Sequence, residues 1–387
     1  MSAPASDAPS STGPFAGNHR AILAGSEPPW AIVSRNFRRH RLAVASLYLL
    51  AVLYTLGGLA EFFAPYTREW RDLAHAYCPP QLPRFSFAHG LYVPGVQRTI
   101  DPITLRKTYR DDEAVAVPLG FFVRGEPYRF WGTITWDRHF FGVKRPTPAA
   151  AGARPTFLFL GADKYGHDIL SRLVYGARIS LSVGLVSIVL TCFLGVSIGG
   201  ISGYVGGVVD TVIQRLMEII NSLPQLPLWL ALGAVLPPDW SPVTIYFAIT
   251  LVLSLIGWTG LARVVRGKIL SLREEDYVMA ARLLGASHSR ILFRHLLPGF
   301  TSHLIVVLTL SVPAMILGET SLSFLGLGLR PPIVSWGVML QDCMSTQTVA
   351  NCPWLLAPVV LIVLTVLCFN FLGDGLRDAA DPHSSSF

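Results

Sequence analysis

Apolar residues crowd into six long stretches of this chain, and the charged residues are left to the segments between them. Residues 42–60, 179–202, 243–261, 300–324 and 354–372 are runs of the length needed to cross a hydrocarbon core, about 20 residues for roughly 30 Å. The sixth stretch, 210–236, is compound. A helix carrying Arg215 and Glu218 runs into Ser222-Leu-Pro224, and the apolar residues 227–236 follow. Arg215 and Glu218, at i and i+3, are placed to satisfy one another near the surface. The pattern predicts an all-α polytopic membrane protein with six transmembrane helices and both termini on one side.

The polar segments divide the chain further. Residues 1–34 are rich in Ser, Pro, Ala and Gly without apolar periodicity and predict a disordered tail. Residues 35–64 hold the first span behind a basic cluster, Arg35, Arg38, Arg39 and Arg41. The run is longer than the apolar part of a signal peptide, so it reads as an uncleaved anchor. Residues 65–165 form an insertion in which short β-like runs at 114–119, 120–123 and 128–133 are separated by Pro and Gly. This predicts a small β-rich domain with Trp131, Trp136, Phe140 and Phe141 in its core. Residues 166–376 carry the other five spans, and 377–387 are a second tail.

Composition agrees with the spans. Of 387 residues, 51% are hydrophobic and 14% charged, against about a quarter charged in soluble domains. Mean hydropathy is +0.48. The net charge of +7 lies in loops, with no basic patch interleaved with aromatics, which argues against nucleic acid. Short loops rich in Arg and Lys stay cytoplasmic. The N-terminal cluster and the segment bearing Arg263, Arg266, Lys268, Arg273, Arg282, Arg290 and Arg294 fall on one side. Both termini are therefore expected in the cytoplasm and the insertion outside. The cysteines form no CxxC pair or Cys/His cluster, against a zinc site. Cys192 and Cys368 read as packing residues. Cys343 and Cys352 share a loop, either as a disulfide or as two thiols.

The cytoplasmic segment 265–299 is too long and too well punctuated for a linker. Ser271 and Glu274 have capping-box spacing, Glu275 and Asp276 add negative charge to a first turn, and Gly285 suits a left-handed C-cap. Ser287 or Ser289 then caps a second helix that Pro298 ends. The product is a helix–Gly–helix elbow with a low-relief face at Ala280 and Ala281. A solvated amphipathic connector is the alternative on these grounds alone.

Three further features bear on mechanism. Gly195, Gly199 and Gly203 make a small-residue stripe for helix packing. Leu170, Leu173, Val174 and Ala177 recur at helical spacing, as in an interfacial helix feeding the second span, with Asp168 as its cap. Glu319 lies inside a span and has two readings. It faces a pathway or gate, or it is buried on a hydrogen bond to Thr320 or a neighbouring helix. No phosphate-cradling G-x-x-x-x-G-K-[ST] or HExxH occurs, and the one GxSxG match, Gly195-Val-Ser-Ile-Gly199, lies inside an apolar run and not at a strand-to-helix turn, so nothing supports an ATPase or hydrolase.

The elbow resembles the EAA loop of binding-protein-dependent ABC importer permeases: Glu-Ala-Ala, three residues, Gly, nine residues, then an apolar-X-apolar-Pro ending. Here it reads Met279-Ala280-Ala281, Leu284 before Gly285, and His295-Leu-Leu-Pro298. Met279 replaces the usual Glu and His295 the usual Ile, so a charge available to the ATPase is missing while the spacing is kept. The stretch from Gly161-Ala-Asp163 to Ser180-Leu181 is similar to the pre-span signature of dipeptide, oligopeptide and nickel permeases, with Ala162 and His167 in place of the usual Thr and Arg. Glu319 to Gly328, Pro331-Pro332 and Ser335-Trp336-Gly337 resemble that family's fifth-span ending and outer re-entry segment.

The resemblance implies the type I ABC importer permease fold and a transport subunit of the bacterial inner membrane, not an enzyme. It implies a second homologous permease, two ATPase subunits at Met279, Ala280, Ala281, Leu284, Gly285, His295 and Pro298, and an extracytoplasmic substrate-binding protein. ATP and Mg would sit on the ATPase partners and no cofactor on this chain. Short peptides are the favoured substrate, with nickel chelates, peptide antibiotics and oligosaccharides open. Two other classes compete. An ion-coupled secondary transporter needs ionisable residues in discontinuous helices and symmetric halves. A structural protein with an outer adhesion module has no need of the elbow.

Overall fold

The computed structural model describes residues 29–87, 90–100, 102, 107–144, 156–237 and 239–380. The predicted tail at 1–28, the chain beyond 380 and part of the insertion lie outside the described residues. Residues 29–34, expected in the tail, belong instead to helix α1 (Pro29–Arg39). Pro29 sits where a helix tolerates proline, and Arg38 and Arg39 close the end that favours positive charge.

In chain order the bundle then contains α2 (Arg41–Gly58), α3 (Ile169–Val205), α4 (Gly207–Ser222), α5 (Gln225–Ala234) and α6 (Pro242–Leu272). It continues with α7 (Asp276–Leu283), α8 (His288–Phe324), α9 (Trp336–Met339) and α10 (Ala357–Ala380). Among the described residues five helices are long and apolar enough to cross a membrane: α2, α3, α6, α8 and α10 with its lead-in from Pro353. The compound stretch is α4 and α5, broken where Leu223 and Pro224 turn extended. Proline has no N–H for the helical ladder and biases its predecessor away from helix, so the break is local chemistry.

Lipid is as apolar as leucine, so contact between spans depends on close packing more than on escape from water. α3 and α6 pack along Gly195, Gly199 and Gly203. A Cβ on Gly199 would lie 2.4 Å from the Ala262 carbonyl oxygen, and one on Gly203 would lie 2.9 Å from that of Arg266. α2, α3, α8 and α10 share a second core of Leu50, Leu53, Leu181, Ile316 and Phe369. α5 is held by Trp229 against Val183, Leu253 and Met315.

One expectation about these helices changes. The predicted interfacial helix at Leu170, Leu173, Val174 and Ala177 is simply the start of α3, which runs unbroken for 37 residues. Leu173 and Ala177 are buried, and the Trp336 indole donates to the Leu173 carbonyl at 3.1 Å. Polar side chains at the outer turns of a span mimic an amphipathic pattern when their partners lie in distant loops. Asp168 does cap it, accepting from the Ser171 N–H at 2.8 Å.

The insertion is a four-stranded antiparallel sheet in the order β1 (Arg84–Ser86), β2 (Gly90–Ile100), β3 (Lys107–Phe130), β4 (Ile134–Val143). The short runs predicted between 114 and 133 fall in one long strand, β3, and the turn after Phe130, with register shifts opposite Pro94/Gly95 of β2 and between Arg124 and Tyr128. Its core is Val93, Val117, Leu119 and Phe157, with Phe141 at the edge. Phe140 is half-buried, whereas Trp131 and Trp136 are exposed and take no part in that core. Trp131 lies in the turn between β3 and β4, and alternation along β4 places Trp136 on the face opposite Phe141. All five cysteines are thiols, so Cys343 and Cys352 are not bonded to each other.

Candidate functional site

The elbow follows α6 directly. The apolar face Val265, Ile269 and Leu272 carries α6 through Ser271, so the expected capping box with Glu274 does not form. Glu275 is the N-cap of α7, in extended backbone and without a side-chain cap bond. The other end matches expectation. Gly285 has φ of +78°, its N–H donates to the Arg282 carbonyl at 3.0 Å, and the Ala286 N–H donates to that of Ala281 at 3.1 Å. This pair of bonds is the Schellman termination, which needs a residue free to turn left-handed. Ser287 then caps the next helix by accepting from the Arg290 N–H at 3.4 Å.

That helix does not end at Pro298. α8 continues to Phe324, passing a π turn at Ile291–Leu296 and a tight turn at Leu297–Phe300. Pro298 falls in the first positions of the tight turn, where a missing N–H costs little. His295 lies in the π turn, half-buried.

The two faces of the elbow differ. Ala281 is buried, and Val278, Ile291 and Leu296 are buried in one cluster with Val265 and Ile269 of α6 and Val196 of α3. Met279 and Ala280 point outward, and Leu283 and Leu284 are each 88% exposed. Arg282 lies over the Tyr204 ring at 5.7 Å, and His288 Nδ1 is 3.0 Å from the Tyr204 hydroxyl. Arg266 grips Asp210 with two bonds of 2.6 Å beside this end of α3. The elbow is thus a packed knuckle whose apolar crest at Leu283 and Leu284 is left open by the described residues. Arg215 and Glu218 pair at 2.6 Å on the exposed face of α4.

At the opposite end of α8, Glu319 is fully buried. Its carboxylate accepts from Ser323 and Ser335 at 2.8 Å and from Ser180 at 3.2 Å. Thr320 is not a partner. Each serine oxygen also accepts a backbone N–H, from Leu329, Val338 and Trp336 respectively. The carboxylate therefore ties α3, α8 and the segment leading into α9 together. The signature stretches contain Ser180 and Ser335, but sequence did not pair either of them with Glu319, from which both are separated along the chain.

The pre-span signature is also assembled. Asp163 accepts from the Tyr165 and His167 N–H groups at 2.8 and 2.9 Å, from His167 Nδ1, and from Arg172. Burial alone would raise the Asp163 pKa, but the His167 bond and the Arg172 charge outweigh it and hold the carboxyl below its ordinary value. Asp168 is pushed up to about 6, chiefly by burial, against the opposing Ser171 bonds. Lys164 pairs with Asp342 at 2.8 Å, which raises the lysine. Gly166 is required here, because a Cβ would lie 1.9 Å from the Asp72 carbonyl oxygen.

A contact missed from sequence joins the exit of the first span to α3. Arg178 binds both Glu61 oxygens, at 2.7 and 2.5 Å, and the Gly57 and Gly58 carbonyls at 2.8 and 3.0 Å. The available signal was Glu61, a lone acid just past the first apolar run. Beside it lies a cleft of about 690 Å³ bordered by Arg68, Glu69, Glu126, Arg129 and Tyr175. Among the described residues no group of His, Cys, Asp and Glu could hold a metal ion.

Five apolar spans, where six were expected, with the shorter pair α4 and α5 between them, define a multi-pass membrane protein. The chain belongs to the family of binding-protein-dependent transport system inner membrane components, whose model matches residues 195–386. Residues 28–80 match the N-terminal TM domain of oligopeptide transport permease C. It is 40% identical to the dipeptide transport system permease protein DppC of Bacillus subtilis over 58% of this chain and 68% of that protein. With the oligopeptide transport system permease protein OppC of Haemophilus influenzae it shares 37% identity over 72% and 86% of the two chains. A solved MetNI methionine ABC transporter in inward-facing conformations is 18% identical, with a TM-score of 0.41 over 54% of this chain and 95% of that one. The protein is a transport permease subunit with the type I importer permease fold and a small β insertion.

Proposed function

We propose that this permease moves short peptides across the bacterial inner membrane, powered by ATPase subunits that seat on its elbow. Both termini and the elbow face the cytoplasm in this reading, and the insertion faces outward to a substrate-binding protein. A second homologous permease completes the pathway. ATP and Mg belong to the two ATPase subunits, and this chain binds neither.

The observation that carries the reading is the crest at Leu283 and Leu284, left exposed beside the left-handed Gly285. Met279 replaces an acid at that surface, so docking here is a matter of apolar shape, with Ala280 allowing close approach. Ala281 and Pro298 hold the knuckle's form, and His295 sits in its π turn. α8 runs from the elbow to Glu319, roughly 45 Å at 1.5 Å per residue. Closure of the ATPase pair would displace the elbow, and α8 would carry the motion to the Glu319 cluster, which serves as the gate's hinge point. The change is a population shift between inward- and outward-facing states, set by how tightly each state's elbow is held.

Peptide cargo follows the dipeptide and oligopeptide transport of the similar permeases. The buried Glu319 is the one feature that favours ion coupling instead. Proteoliposomes holding the permease pair, ATPases and binding protein separate the two. Labelled tripeptide uptake should require internal ATP and persist with ionophores. Uptake that follows a proton or sodium gradient without ATP would overturn the proposal.

A further inference from the structure

The β3–β4 hairpin is clamped to the exit of the first span. Its turn is Phe130-Trp131-Gly132-Thr133, with Trp131 and Gly132 both at positive φ (49° and 76°). Positive φ is uncommon for tryptophan, so the surroundings must hold it there. The Trp131 indole donates to the Gly58 carbonyl at 3.0 Å and its ring lies over Arg178. Further along, Phe140 packs on Phe62 and Phe63 at 5.9 and 5.4 Å, and the buried His139 bonds the Ala64 carbonyl at 2.7 Å. Both parts of the hairpin are therefore fixed at the depth where α2 leaves the apolar layer.

The hairpin's outward surface is apolar. Phe121, Phe122, Trp131, Ile134 and Trp136 are all more than half exposed. Ile134, Trp136, Arg138 and Phe140 alternate along β4 and so share one face, which continues through Phe140 onto Phe62 and Phe63 at the end of the span. Arg124 stands directly opposite Arg138 in the strand register. Like charges so placed repel. Asp137 approaches Arg124 only to 3.8 Å, and no carboxylate among the described residues pairs with Arg138. The pair offers two guanidinium groups to an anion.

We propose that this hairpin is an interfacial lipid anchor: Ile134, Trp136 and Trp131 seat in the headgroup–acyl boundary of the leaflet around the α2 exit, and Arg124 and Arg138 bind phospholipid phosphates. Tryptophan is enriched at that depth and arginine binds phosphate with a planar fork. A membrane surface supplies both chemistries at once, and the hairpin's attachment to a spanning helix puts it there. The anchor would fix the insertion in orientation above the permease.

The test is photo-crosslinking of the full-length protein in membranes, with benzoylphenylalanine at Ile134 or Trp136, and at Asp111 on the far part of the sheet as reference. Irradiation followed by mass spectrometry should give phospholipid adducts at 134 and 136, and none at 111. In nanodiscs, Arg124→Gln with Arg138→Gln should lower lipid adduct yield with phosphatidylglycerol about threefold or more relative to phosphatidylcholine. Adducts to a protein at 134 and 136, or lipid adducts no more abundant than at 111, would overturn the proposal. Equal yields from phosphatidylglycerol before and after the double substitution would overturn the phosphate contact.

Discussion

The Ser335 hydroxyl donates to the Glu319 carboxylate at 2.8 Å while its oxygen accepts the N–H of Val338. One side chain thus links a spanning helix to the start of α9. Ser180 and Ser323 repeat the arrangement from α3 and from α8 itself. With three donors, the acid is satisfied without a cation.

Removing that acid should be costlier than neutralising it. Glu319→Ala leaves buried hydroxyls without their acceptor, at about 1–3 kcal/mol for each group left unsatisfied. Glu319→Gln keeps one acceptor oxygen, and the hydroxyls can rotate to meet its amide. Thermal unfolding in detergent should rank the proteins unaltered, then Gln, then Ala. Equal midpoints for all three would mean the cluster carries no stability.

The α3–α6 seam predicts opposite outcomes for two glycines. A Cβ on Gly199 meets the Ala262 backbone, whereas one on Gly260 has no atom within 4 Å. Gly199→Ala should destabilise by about 1–3 kcal/mol through overpacking. Gly260→Ala should be neutral or slightly stabilising, since alanine favours helix. The same unfolding assay reads both.

The outer loop titrates with two signs. Asp163 has its folded pKa lowered, so its contribution is present at neutral pH and lost as pH falls through that folded value. Asp163→Asn should therefore be less stable at pH 7, with the difference shrinking at acid pH. Asp168 is raised to about 6, so the folded state holds its proton more tightly than the unfolded one. Its ionisation costs stability above pH 6, and the cost is relieved as pH falls. Asp168→Asn retains an N-cap residue, and its stability relative to the unaltered chain should improve from pH 5 to pH 8. Unfolding midpoints across pH check both signs.

Arg178 should not tolerate lysine. It makes two bonds to Glu61 and two to the carbonyls of Gly57 and Gly58. A lysine ammonium lacks the planar fork for this set. Arg178→Lys should lower stability by about 1–3 kcal/mol and expose the segment between α2 and the insertion to limited proteolysis. An unchanged cleavage pattern would count against the tie.

The spans were legible because lipid demands long apolar runs, and the elbow's end because Gly285 and Ser287 act through local backbone chemistry. Its beginning was misread. Ser271 and Glu274 have capping-box spacing, but the packing of Ile269 and Leu272 extends α6 past them. Trp131 and Trp136 misled because aromatic size suggests a core, whereas Trp131 falls in the hairpin turn and the alternation of β4 turns Trp136 outward. The partners of Glu319 and Arg178 were illegible for a simpler reason. Ser180, Ser335 and Glu61 are brought in from remote parts of the chain, and only tertiary packing puts them within reach.

The account turns most on the uncovered crest of the elbow. Leu284 is 88% exposed and follows α7 as its C-cap, so Leu284→Asp should leave the fold intact. Pull-down of the assembled transporter from membranes, with ATP-driven peptide uptake measured alongside, is the direct measurement. The variant should reach the membrane and hold its partner permease, yet lose the ATPase subunits and uptake. Retention of both ATPase and uptake at the unaltered level would contradict the assignment of the elbow as the docking surface.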